Sequence, residues 1–162
     1  MIQKQIPTYP SPPYKFIPRT LSFIRNNDYI LLIHGAATKS MWADQYNGIG
    51  GHIKRGETIR EAALREVREE TGITHPDEFA LRGIITIDTH DLETGISLFV
   101  FTGATTKQDL VPSPEGEPKW IRKDALSQLP CVPDLLNLLN RLTQMSKEDP
   151  PFHLHYTYNK HK

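Results

Sequence analysis

The stretch from Gly51 to Ile73, GHIKRGETIREAALREVREETGI, constrains this chain more than any other. A Gly-rich turn leads into a helix that starts at Thr58, whose hydroxyl caps it while Glu61, three residues on, reaches back. The helix should stop near Gly72. At 100° per residue, Ile59, Ala62, Ala63, Glu66, Glu69 and Glu70 share one stripe, and Glu61, Arg65 and Arg68 fall on the other side. Pairs at i, i+4 such as Glu61 with Arg65 and Arg65 with Glu69 account for a solvated outer face. They do not account for three carboxylates beside alanines on the face a helix normally buries, where like charges repel and desolvation is costly. A hard divalent cation resolves the conflict: carboxylate oxygens suit Mg²⁺ or Mn²⁺, and Mg²⁺ is usually shared between a few carboxylates and substrate phosphates.

The same residues resemble the Nudix box of the Nudix hydrolases, G-x5-E-x7-R-E-U-x-E-E-x-G-U with U apolar. Gly51, Glu57, Arg65, Glu66, Val67, Glu69, Glu70, Gly72 and Ile73 fill every fixed position. The resemblance implies a metal-dependent attack of water on a diphosphate joined to another group, usually a nucleoside. It also implies a Nudix fold, an α/β (α+β) domain with a mixed sheet sandwiched between helices. Glu66 and Glu70, one turn apart, would ligate the essential Mg²⁺, with Mn²⁺ as the alternative, together with the carbonyl of Gly50. Glu69 would help hold a second ion or orient water, and is assigned the general base. Arg65 would position a neighbouring carboxylate, with Glu57 behind it. A further Glu from a distant loop often completes such a site; Glu115 is the choice and Glu117 the alternative.

The run Tyr46-Asn47-Gly48-Ile49-Gly50-Gly51 brings the backbone into the box, and three glycines in four positions suggest close approach to a ligand or metal. It also resembles the branch of the family that destroys oxidised purine nucleoside triphosphates, where the Asn recognises the base. An amide offers both donor and acceptor, which suits a purine edge, but an Asn beside a glycine also satisfies turn backbone. Both readings of Asn47 stay open. Asp134 lies in a Pro-Asp step resembling the place where that branch sets a base-reading Asp, and a helix dipole equally favours an acid there.

The whole chain narrows the function further. Its 162 residues suit one domain. Lys plus Arg and Asp plus Glu number 19 each, so no global field draws in a nucleic acid polymer or an anionic membrane, and phosphate recognition must be local. The partner is a small nucleotide, and a homodimer is left open. Cys131 is alone, which excludes a disulfide framework and a Cys-based zinc site. No apolar segment of signal-peptide or membrane-spanning type is present, and the protein is read as cytoplasmic.

In chain order, residues 1–18 form a Pro-rich arm, 19–145 the catalytic domain, and 146–162 a tail that packs as a strand on the same domain. Arg19 to Arg25 and Tyr29 to Ile33 read as a hairpin. The segment from His34 to Asp44 reads as a loop at the site's edge, where Lys39 is either a phosphate contact or a solvated lysine. Phe79 to Asp88 and Ile96 to Thr102 read as an inner hairpin, with His90 and Asp91 as polar residues at its tip. Lys119 to Arg122 follows as a short strand. Lys123 to Leu129 and Pro133 to Met145 read as helices, the second with a leucine stripe. Phe152 to Tyr158 alternates as a half-buried strand; a His153 and His155 metal pair is the weaker reading of its other face. Three functions remain: hydrolysis of a nucleoside triphosphate such as 8-oxo-dGTP to monophosphate and pyrophosphate; hydrolysis of another diphosphate such as ADP-ribose or a dinucleoside polyphosphate; and a non-catalytic nucleotide-binding module. The intact set of Arg65, Glu66, Glu69 and Glu70 argues against the last.

Overall fold

The computed structural model describes residues 12–157. The first eleven residues of the Pro-rich arm and the last five of the tail lie outside that range. Strands β1 (Lys15–Asn26) and β2 (Tyr29–Gly35) form the expected hairpin, turning through Asn27 at φ 51°, a left-handed conformation that Asn tolerates. Strand β3 (Tyr46–Asn47) precedes helix α1 (Ile59–Thr71). Strands β4 (Asp77–Asp88), β5 (Thr94–Ala104) and β6 (Gly116–Arg122) follow. The chain then runs through a 3₁₀ turn (Lys123–Gln128), helix α2 (Leu135–Gln144) and strand β7 (Phe152–Tyr156).

The strands make one mixed sheet in the order β3-β2-β1-β5-β4-β7, with β6 on β2. β1 with β5 and β4 with β7 are parallel; the other pairs are antiparallel. Side-chain alternation then divides the core in two. Ile24, Leu31, Ile33 and Phe101 pack on one face with Ala63 and Val67 of α1. Their neighbours Phe23, Ile30, Leu32 and Val100 point to the opposite face and pack with Leu135, Leu138 and Leu139 of α2. The layered α/β expectation holds, and the leucine stripe of α2 is core. Truncating Leu138 to Ala there should cost about 2–5 kcal/mol.

β1 begins four residues before the sequence suggested. Lys15 to Arg19 pair in parallel with Thr94 to Leu98, while β2 covers only the far end of β1, from Ile24 on. On its other side β1 meets no named strand at this point, only an isolated bridge from Arg19 to His52 with Ile53 N donating to Pro18 O at 3.1 Å, an incomplete ladder that tolerates a proline. The tail strand adds in parallel to β4, with Phe152, Leu154 and Tyr156 half-buried and His153 and His155 exposed. His155 hydrogen-bonds Thr86 and Asp88 rather than joining His153. Among the described residues no helix is long and apolar enough to cross a membrane.

Candidate active site

α1 is bounded as its sequence dictates. Thr58 Oγ1 accepts from Glu61 N at 3.2 Å, Glu61 Oε2 accepts from Thr58 N at 2.8 Å, and Gly72 closes the helix at φ 80°. That cap consumes Glu61, so the expected Glu61–Arg65 pair does not form. Arg65 is also not on a solvated outer face. Its long side chain folds back over the turn before the helix, leaving only 12% of it exposed. Nε and Nη2 bind the two oxygens of Glu57 at 2.5 and 3.0 Å, Nη2 also reaches His52 O at 3.0 Å, and Nη1 binds Glu66 Oε1 at 2.7 Å and Glu69 Oε2 at 3.2 Å. The Cβ of Arg65 does lie off the carboxylate stripe, but five guanidinium donors on a flexible stem reach well beyond it. This grip holds the Glu57 carboxyl well below the usual range, at about 2, with a backbone bond from Lys54 adding to it.

The three helix carboxylates differ in environment. Glu70 is buried at 4% exposure, Glu66 retains 13% of its side chain exposed, and Glu69 stands half in solvent at 49%. Burial pushes Glu70 up to about 8, and the charges of Glu66 and Glu115 push the same way against Lys39 and a backbone bond from Gly50. Residues from α1, the Gly turn, the 36–45 loop and the loop before β6 therefore share one electrostatic site. Lys39 and Glu115, named separately from the sequence, are partners in it: Lys39 Nζ lies 2.7 Å from Glu115 Oε2. Glu117 pairs instead with Lys119.

The glycines are fixed by contact. A Cβ on Gly51 would lie 2.4 Å from Glu66 Oε1, and one on Gly50 would lie 1.9 Å from the backbone oxygen of Thr20. The carbonyls of Ile49 and Gly51 are taken up by Ser22 N and Thr20 N of β1, at 2.6 and 2.9 Å. The Gly50 carbonyl between them accepts no hydrogen bond within the described residues. A free carbonyl oxygen beside a buried carboxylate whose neighbours are also acidic is donor chemistry that fits a hard divalent cation. Among the described residues no three acidic, His or Cys side chains already converge as a ready ligand cluster. Glu66 is turned to Arg65 and Glu115 to Lys39.

The segment that leads into α2 is tied to β3 through the backbone. Tyr46 N donates to Pro130 O at 2.8 Å and Val132 N donates to Tyr46 O at 3.0 Å, which fastens the approach to α2 onto β3 beside Asn47. Asn47 Oδ1 accepts from Gly48 N at 2.8 Å, the turn role weighed above, and its NH₂ remains without a partner within the described residues. Asp134 sits at the N-cap of α2 at φ 64° and makes no side-chain cap bond, at the helix end whose dipole favours an acid. No residue pattern pointed to the His52 carbonyl as an Arg65 partner, since backbone acceptors carry no residue signature.

The NUDIX domain profile matches residues 15–142. The chain belongs to the Nudix hydrolase family, enzymes that act on phosphoric anhydrides. It is similar to the oxidized purine nucleoside triphosphate hydrolase of Mus musculus, 27% identical over 115 residues that span 71% of this chain and 72% of the relative. It is similar also to the nucleoside triphosphatase NudI of Enterobacter sp. (strain 638), 29% identical over 133 residues, 76% and 91% of the two chains. The crystal structure of the mutator MutT protein from Bacillus halodurans superposes with a TM-score of 0.69 at 25% identity, over 88% of this chain and 91% of that one.

Proposed function

We propose that the protein hydrolyses a nucleoside triphosphate, with an oxidised purine such as 8-oxo-dGTP as its substrate, to the monophosphate and pyrophosphate. The observation that carries this reading is the pinning of the segment before Asp134 onto Tyr46, the residue next to Asn47, with the Asn47 NH₂ and the Asp134 carboxylate both left without side-chain partners within the described residues. An amide and a carboxylate together can read the Watson–Crick edge of a purine and a neighbouring exocyclic group. The likeness to an oxidized purine nucleoside triphosphate hydrolase supports it.

Glu66, Glu70 and the Gly50 carbonyl would hold Mg²⁺, with Glu115 released from Lys39 to join them and Glu69 beside a second ion. When bound, the cation neutralises phosphate oxygens and lowers the pKa of a water. The chain's own residues do the rest. Arg65, braced by Glu57 and His52 O, sets the direction of Glu66. Glu69 accepts the proton of the attacking water, whose oxygen bonds to phosphorus as the bridging P–O bond breaks and pyrophosphate leaves with that electron pair. Lys39, once free of Glu115, binds a phosphate oxygen.

The test is a Mg²⁺-dependent release assay across ordinary and oxidised dNTPs, ADP-ribose and dinucleoside polyphosphates, with pyrophosphate and monophosphate quantified separately. The reading expects a clear kcat/KM preference for an oxidised purine triphosphate. A preference for ADP-ribose would keep the hydrolase and remove the base-reading roles of Asn47 and Asp134. Tight nucleotide binding with no turnover anywhere would overturn the catalytic reading.

A further inference from the structure

A cleft of about 910 Å³ opens at the end of the sheet where β1 finishes and β4 begins, reaching from α2 on one face to Arg60 of α1 on the other. Its lining includes none of the box carboxylates. Five cationic side chains, Arg25, Arg60, Arg82, Lys123 and Lys147, border it with Glu78 as the one acid. That is a strong local excess in a chain whose formal net charge is +0. Its apolar lining comes from both core layers, Phe23, Ile30, Leu139 and Leu142 on the α2 side and Phe79 on the α1 side. A cavity of this size with apolar walls and a few convergent polar groups is the usual form of a small-molecule site.

The cations are held in different ways. Glu78 bridges two of them, accepting from Arg25 Nη2 at 2.8 Å and from Lys147 Nζ. Arg82 donates to the Ser146 carbonyl, and Arg60 donates to the Phe79 carbonyl at 2.5 Å with its guanidinium 5.4 Å from that ring's centre. The Lys123 ammonium has no partner within the described residues. Glu78 itself is at φ 51°, a backbone conformation unusual for Glu, inside the irregularity where the β4–β5 register shifts between Asp77 and Ala80. Such bulges re-aim a side chain, and strain of this kind collects at functional sites. Here the bulge puts a single carboxylate between cations from opposite walls of the cleft.

We propose that this cleft is a second ligand site, for a small organic phosphate with a flat, weakly polar body, and that Glu78 occupies the anion's place when the ligand is absent. The phosphate would meet Lys123, Arg25 and Lys147, and the body would lie over the apolar lining beside Leu139 and Leu142. The inference does not depend on which substrate the box hydrolyses.

Titration calorimetry of the full chain in EDTA, with adenosine monophosphate as the probe and adenosine and inorganic phosphate as controls, tests it. Saturable binding of the monophosphate, tighter than either control, is expected. Lys123→Glu and Lys147→Glu should each weaken it at least about tenfold, whereas Glu70→Gln leaves it unchanged. Glu78→Gln should tighten it several-fold by freeing Arg25 and Lys147, an outcome that a merely structural Glu78 would not give. The absence of saturable binding, or binding lost in Glu70→Gln and kept in Lys123→Glu, would overturn the proposal. Circular dichroism of each variant separates lost binding from lost fold, and Lys123, an exposed side chain without partners, is the variant that cannot fail through folding.

Discussion

Arg65 grips Glu57 with one edge of its guanidinium, Nε on one carboxylate oxygen at 2.5 Å and Nη2 on the other at 3.0 Å, while Nη1 holds Glu66. Lysine carries the charge but cannot fork. Arg65→Lys should therefore fold and still turn over slowly, with kcat reduced on the order of 10–100-fold and KM little changed. Steady-state kinetics beside a thermal melt checks this; a KM effect with intact kcat would mean that Arg65 binds substrate rather than setting Glu66.

Glu70 makes the metal-free protein sensitive to alkali. Its carboxyl is raised to about 8 by burial first and then by Glu66 and Glu115, above the ordinary 4.5. Between those two values the folded state keeps a proton that the unfolded chain has released, so stability is full below 4.5 and is lost as pH rises through 8. In EDTA, melts should fall in temperature across that window. Glu70→Gln should flatten the slope and stabilise the neutral-pH protein by on the order of a few kcal/mol. A slope identical in wild type and variant would contradict the burial argument.

Glu57 acts at the other end of the scale. Because Arg65 depresses it to about 2, its contribution is present above the ordinary 4.5 and is lost as pH falls toward 2. Glu57→Gln should remove that acid-side dependence of the melting temperature and leave the alkaline side as in wild type.

Two adjacent glycines should fail differently when replaced by alanine. At Gly50 the new Cβ meets the backbone of β1, which cannot yield, and Gly50→Ala should destabilise by about 2 kcal/mol or more. At Gly51 it meets the Glu66 carboxylate, a side chain that can swing away. Gly51→Ala should keep its melting temperature within a few degrees and lose kcat. Equal thermal losses in the two variants would refute the distinction.

The helix and both hairpins were legible because their signals are local. Thr58, Glu61 and Gly72 mark the ends of α1, and alternation marks β1, β2, β4 and β5. What was not legible depends on reach or on distance along the chain. Arg65 turns inward because its donors extend past its Cβ position. Lys39 and Glu115 are 76 residues apart in sequence, and nothing in either loop announces the 2.7 Å contact. The early start of β1 depends on its parallel partner β5, and the basic cleft gathers its five cations from five separate segments.

We propose that buried Glu70 holds the catalytic cation. Mg²⁺-dependent pyrophosphate release from a nucleoside triphosphate, measured for wild type and Glu70→Gln side by side, tests it most directly. The account predicts release by wild type that EDTA abolishes, and a folded variant slower by about 10³-fold or more at every Mg²⁺ concentration. A folded Glu70→Gln protein with unchanged turnover in Mg²⁺ would contradict it.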